Sequence, residues 1–141
     1  MTKADDRAET PPPGRARILV VDDEPHFARS LVRLLQDEGY TVASAGTVAG
    51  ALELLGAQPF DVLLCDWHLP DGNGCNLMQA ALRGRPIAGI AMTGSAGEED
   101  EAESQAAGFA EHLRKPVMIE DVLAAIGRAV QRPENRTGAP A

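Results

Sequence analysis

With 141 residues, 44% of them hydrophobic, the chain can bury one core, and disorder throughout is excluded. Its 21 acidic residues outnumber 13 basic ones, a formal net charge of −8, which argues against unaided binding to nucleic acid or to an anionic membrane surface. The same charge suits a cation site or a basic partner. No apolar run approaches the roughly 20 residues of a membrane span, and Met1 to Gly14 lacks the apolar stretch of a signal peptide. The expected location is the cytoplasm, with flexible tails at residues 1–14 and 132–141 and one domain over 15–131.

Ile18-Leu19-Val20-Val21 is short, apolar and β-branched, the pattern of a parallel strand buried on both faces. Asp22-Asp23-Glu24 closes it, and Pro25 suits the first turn of a helix. Phe27, Leu31, Leu34 and Leu35 then mark one helical face, ended by Gly39. Tyr40 to Ala45 predicts a second strand, and Val48, Ala51, Leu52 and Leu55 a second helix. Val62-Leu63-Leu64-Cys65 is a third strand ending at Asp66. The turn chemistry of Leu69 to Gly74 predicts a loop, and Leu77 to Leu82 a third helix.

Ile87 to Met92 is a fourth strand ending at Thr93. Ser95 and Glu98 form an S-x-x-E capping box for a fourth helix. Alanines are the only apolar residues of that helix, so it is expected to be the least stable. Ala110–Leu113 predicts a short fifth strand before Lys115-Pro116. Ile119, Val122, Leu123, Ile126 and Val130 face one side of a last helix. Strand and helix alternate five times, which implies an α/β fold with a five-stranded parallel sheet, doubly wound and flavodoxin-like, in strand order 2-1-3-4-5.

Polar residues stand just past four of the strands: Asp22 and Asp23, then Asp66, Thr93 and Lys115. The carboxyl ends of parallel strands are where such sheets bind ligands. Three crowded carboxylates favour a hard cation such as magnesium, which prefers oxygen ligands. A carboxylate can attack phosphorus, Lys115 supplies a compact positive charge, and Thr93 supplies a hydroxyl donor. Cys65 and Cys75 fit neither a redox pair nor a zinc ribbon and are expected to be reduced thiols. His26, His68 and His112 lack metal-binding spacing. Trp67, the only tryptophan, is expected to be partly exposed beside the site.

Four segments, VVDDEP at 20–25, CDWHLPDGNG at 65–74, AMTG at 91–94 and LRKPV at 113–117, resemble response-regulator receiver domains of two-component signalling. The resemblance implies that Asp66 is the phosphoacceptor. It implies a magnesium ion, for which manganese can substitute, held by Asp22, Asp23, Asp66 and the backbone carbonyl of His68. Thr93 and Lys115 hold the phosphoryl group, and Pro116 follows the lysine through a cis bond. The implied donor is a histidine kinase or a histidine phosphotransfer protein, and homodimers are compatible with the family. Receivers are not turnover enzymes.

Three residues before the lysine, where receivers often carry Tyr or Phe as a switch partner of the threonine, stands His112. The stretch GFAEHLRKPV is similar to receiver modules of hybrid sensor kinases; single-domain response regulators are the other match. Output through the fourth helix is therefore expected to be atypical or weak. Two other readings remain open on residues alone. A haloacid-dehalogenase-like phosphotransferase also uses an aspartyl phosphate, but its D-x-D motif is replaced here by adjacent Asp22-Asp23. An interaction module that is never phosphorylated is the third.

Overall fold

The computed structural model describes residues 16–94 and 98–131. The expected tails, and the Ser95 half of the capping box, lie outside the described residues. Five strands form the sheet: β1 (Arg17–Val21), β2 (Thr41–Ala45), β3 (Val62–Asp66), β4 (Ala88–Thr93) and β5 (Phe109–Arg114). Five helices alternate with them: α1 (Pro25–Asp37), α2 (Val48–Ala57), α3 (Gly74–Gly84), α4 (Glu98–Ala107) and α5 (Ile119–Val130). All pairings are parallel, in the order β2-β1-β3-β4-β5. This is the expected fold. A two-residue antiparallel ladder, His68–Leu69 with Gly72–Asn73, occupies the expected loop.

Each face of the sheet buries its own core. Leu19, Val21, Leu63, Cys65 and Ala91 pack toward Ala51 of α2, Leu77, Met78 and Ala81 of α3, and Ala107 of α4. Ile18, Val20, Val62, Leu64, Ile90 and Met92 pack toward Leu31 and Leu35 of α1 and Val122, Ala125, Ile126 and Ala129 of α5. Burial on both faces explains the continuous apolar runs, and each fully buried Leu, Ile or Val contributes about 1.5–3 kcal/mol. The expected helix faces need correction at the edges. Leu34 is 41% exposed, and Leu52 and Leu82 are exposed too. Ala28, Ala51 and Ala81 are buried on these helices, while Leu34, Leu52 and Leu82 turn outward.

Register brings the strand ends level. Val21 lies opposite both Ala45 and Cys65, Asp66 opposite Met92, and Thr93 opposite Arg114. One irregularity matters for the site. Gly89 pairs with Phe109 but Ile90 pairs with Glu111, so Ala110 is an extra residue in β5. Side chains alternate along a strand, and an extra residue inverts the alternation. Phe109 and His112, three apart, thereby face the same side. Gly89 makes room for this packing, since a Cβ there would sit 2.3 Å from Met78 Sδ and 2.7 Å from Phe109 Cδ1.

Candidate functional site

The acidic residues meet at the carboxyl edge of β1 and β3. Asp22, Asp23 and Asp66 each offer a carboxylate oxygen, and these oxygens all lie within 4.8 Å of one another. Asp22 and Asp66 are buried, while Asp23 is exposed. Capping of α1 does not occupy them, because Glu24 does that work, its Oε1 accepting from the Phe27 N–H at 2.8 Å. Asp22 is instead oriented from both ends. Its Oδ1 accepts from the Glu24 N–H at 2.9 Å and its Oδ2 from Lys115 Nζ at 3.1 Å.

Lys115 spans the site, since Nζ also donates to Asp66 Oδ2 at 3.1 Å. It sits over the Phe27 ring, 5.4 Å from the centroid, a cation–π contact that helps aim it. The lysine backbone is tied to the sheet by its N–H, which donates to Thr93 O at 2.7 Å. The Lys115–Pro116 bond is cis, as expected. The other oxygen of Asp66 accepts from the His68 N–H at 3.3 Å.

The electrostatics follow from crowding. Burial raises the Asp66 carboxyl above its ordinary value, and neighbouring Asp22 adds to the rise; the Lys115 ammonium and the His68 N–H oppose it without cancelling it. Burial alone would lower Lys115, but two carboxylates together outweigh that and hold it above its usual value. The two results agree, since one cation faces several anions. Three carboxylates against one ammonium leave about two negative charges, which a divalent cation with oxygen ligands would balance. The donor set therefore fits a hard divalent ion. Cys65, beside the site, is a buried free thiol whose pKa is pushed up by that burial, and Cys75 is also free.

Thr93 ends β4 and is fully buried. Its Oγ1 lies 3.0 Å from His112 Nε2, and His112 Nδ1 lies 3.1 Å from Ser104 Oγ on α4. His112, which stands where receivers often carry Tyr or Phe, is thus within hydrogen-bond distance of a hydroxyl at each ring nitrogen. Ser104 escaped notice because a serine in the run EEDEAESQAA reads as solvated. Trp67 corrects another expectation. It is 3% exposed, not partly exposed. Its ring packs edge-on to Phe109, with centroids 6.0 Å apart, and lies over Gly74, where a Cβ would meet it at 3.3 Å. Its backbone N–H donates to Met92 O at 2.8 Å, and its indole is part of the buried core next to the site rather than a partly exposed neighbour of it. His68 is exposed, and Asp71, read as a turn residue, accepts from the N–H groups of Val48 and Ala49 at the start of α2.

Known proteins share this fold and much of this sequence. The response regulator receiver domain family matches residues 18–127. The transcriptional regulatory protein KdpE of Mycobacterium tuberculosis is 35% identical over 118 residues, covering 82% of this chain and 51% of its own length. The chain thus spans about half the length of that curated relative. A receiver domain protein from Methanospirillum hungatei superposes with a TM-score of 0.78 at 34% identity, over 83% of this chain and 94% of that one. A response regulator protein from Burkholderia pseudomallei, solved with a phosphorylated aspartic acid, calcium ion and citrate, superposes with a TM-score of 0.75 at 31% identity, over 82% and 68%. Among the described residues no helix is long and apolar enough to cross a membrane. Receiver domains accept phosphoryl groups and interact with histidine kinases, and an acidic cluster like this one is typical of their divalent-metal site. The chain belongs to the response regulator receiver domain family of two-component signalling, a phosphoacceptor module and not a turnover enzyme.

Proposed function

We propose that Asp66 is the phosphoacceptor, taking a phosphoryl group from the phosphohistidine of a histidine kinase or a histidine phosphotransfer protein. A carboxylate oxygen of Asp66 attacks phosphorus, the P–N bond breaks, and its electron pair returns to the donor imidazole, which takes up a proton. Asp22, Asp23, Asp66 and the His68 carbonyl hold magnesium, with manganese able to replace it. When bound, that ion neutralises charge on the transferring oxygens. Lys115 leaves its two carboxylates to pair with the phosphoryl group, and Thr93 donates its hydroxyl to it. A protein-interaction surface then shifts in population.

The observation that carries this reading is the three-carboxylate cluster spanned by Lys115. The phosphorylated aspartic acid and calcium ion of the Burkholderia protein support it by analogy. The net charge favours protein partners over direct contact with nucleic acid or membrane, and membership of the receiver family supports a cytoplasmic site of action. A homodimer is one form the output can take.

The test is intact mass after incubation with magnesium and acetyl phosphate, with Trp67 fluorescence followed in parallel. One added phosphoryl mass, dependent on metal and absent in Asp66→Asn, is expected. Labelling retained in Asp66→Asn would show that another group is the acceptor.

A further inference from the structure

His112 is held at both ring nitrogens, by Thr93 on the site side and by Ser104 on the helix side. Both hydroxyl residues are fully buried. Helix α4 has little else with which to seat itself. Alanines are its only apolar residues, and of its described side chains Ser104 and Ala107 are buried while Ala102, Glu103, Gln105 and Ala106 are exposed. The extra residue in β5 is what turns His112 toward this face.

We propose that Ser104, His112 and Thr93 form one polarised hydrogen-bond chain, with His112 as a positioning residue, through which the state of Asp66 is read at α4. The inference rests on the reading of Asp66 as acceptor. Ionised phosphoryl oxygens only accept hydrogen bonds, so Thr93 has to turn its single hydroxyl proton toward them. For the Thr93–His112 bond to persist, Nε2 then donates to Thr93 Oγ1. Nδ1 is left as an acceptor, and Ser104 donates to it. The chain runs from Ser104 through His112 and Thr93 to the phosphoryl group.

Without that group the opposite polarity is open, in which Thr93 donates to Nε2 and the Nδ1–H donates to Ser104. With a neutral imidazole each of the three groups carries one proton in either polarity, so the change is a tautomer shift with no net proton uptake. A ring pinned on both sides transmits by reversing its hydrogen bonds, not by swinging. The side chain whose hydroxyl must reorient, Ser104, is one of the two described residues that seat α4.

The test has two arms on the full chain. The first uses nitrogen-15 spectra of labelled histidine at about pH 8.5, above the usual imidazole range, with the His112 signals assigned by their loss in His112→Gln. With magnesium and beryllium fluoride, a phosphoryl mimic, the Nε2–H tautomer is expected; the Nδ1–H tautomer would overturn the proposal. The second arm needs no phosphoryl group. Ser104→Ala, which keeps nearly the same volume, should speed amide exchange of residues 102–107 about fivefold, the worth of one hydrogen bond. His112→Phe should speed it too, and the double variant by less than the product of the two single effects. Additive losses, or none, would overturn it. Should the protein take up neither phosphoryl group nor beryllium fluoride, the reading of Asp66 falls and the proposed readout with it, while the second arm still decides whether Ser104 and His112 are linked.

Discussion

Strands β1 and β3, which carry the three carboxylates, are buried from Ile18 to Val21 and from Val62 to Asp66, whereas β5, which carries His112 and leads to Lys115, buries only Phe109. The helices repeat the contrast. Leu31 and Leu35 anchor α1, while α4 offers Ser104 and Ala107. Apolar burial is worth about 1.5–3 kcal/mol per large side chain, and a hydrogen bond only about 0.5–1.5 kcal/mol net. The acidic half is thus the more deeply anchored, and α4, seated through Ser104 and Ala107, the more lightly held. A switch needs both, a site whose geometry survives the charge it receives and a neighbour soft enough to respond.

The largest effect is expected from removing the buried indole next to the site. Trp67→Ala deletes a buried indole that packs on Phe109 and Gly74, and should cost about 3–5 kcal/mol in urea unfolding. A loss below about 1 kcal/mol would mean that the indole does not hold this part of the core. The contrast itself is sharpened by native-state amide exchange. Val62 to Cys65 should open only with global unfolding, while residues 102–107 should exchange by local opening at least about a hundredfold faster. Equal rates would erase the distinction.

Lys115→Ala tests how the acidic half manages without its cation. The lysine side chain is 27% exposed, so the loss of its two ion pairs is discounted for screening, to about 1–2 kcal/mol without metal. Millimolar magnesium should then raise the melting temperature of the variant more than that of the parent, because the carboxylates are left facing one another. An equal rise would argue that Lys115 does not offset their repulsion.

The smallest effect is expected at Asp71. Bonds from the Val48 and Ala49 N–H groups hold its carboxyl below the usual range. A lowered folded-state pKa gives stability that is present above the ordinary carboxylate value and lost as pH falls through the lowered one. Protection of those two amides should therefore persist through the usual carboxylate range, fail below it, and be absent at every pH in Asp71→Ala. Protection unaffected by that substitution would show the bonds to be idle.

The fold was legible because buried parallel strands announce themselves as apolar runs, and the polar residues closing them converge once the strands are aligned. The convergence of Asp22, Asp23, Asp66 and Lys115 could be anticipated in this way. Burial set by distant partners was not legible. Nothing beside Trp67 in the sequence tells that Phe109, some forty residues on, will cover it. Ser104 has the same difficulty, since its burial depends on where β5 presents His112. Asp71 looked like turn chemistry and is a clasp across to α2, a role visible only when both segments are placed.

Ala110 sets the phase of β5. Ahead of it β5 keeps step with the core through Phe109, and behind it the strand keeps step with the site through His112. Excising this one small residue would put the two halves of the strand back into a common beat, so that either the phenylalanine or the histidine faced the wrong layer. Exchanging it for another small residue would leave the beat unchanged. In this strand the count of residues carries information that no side chain at that position does.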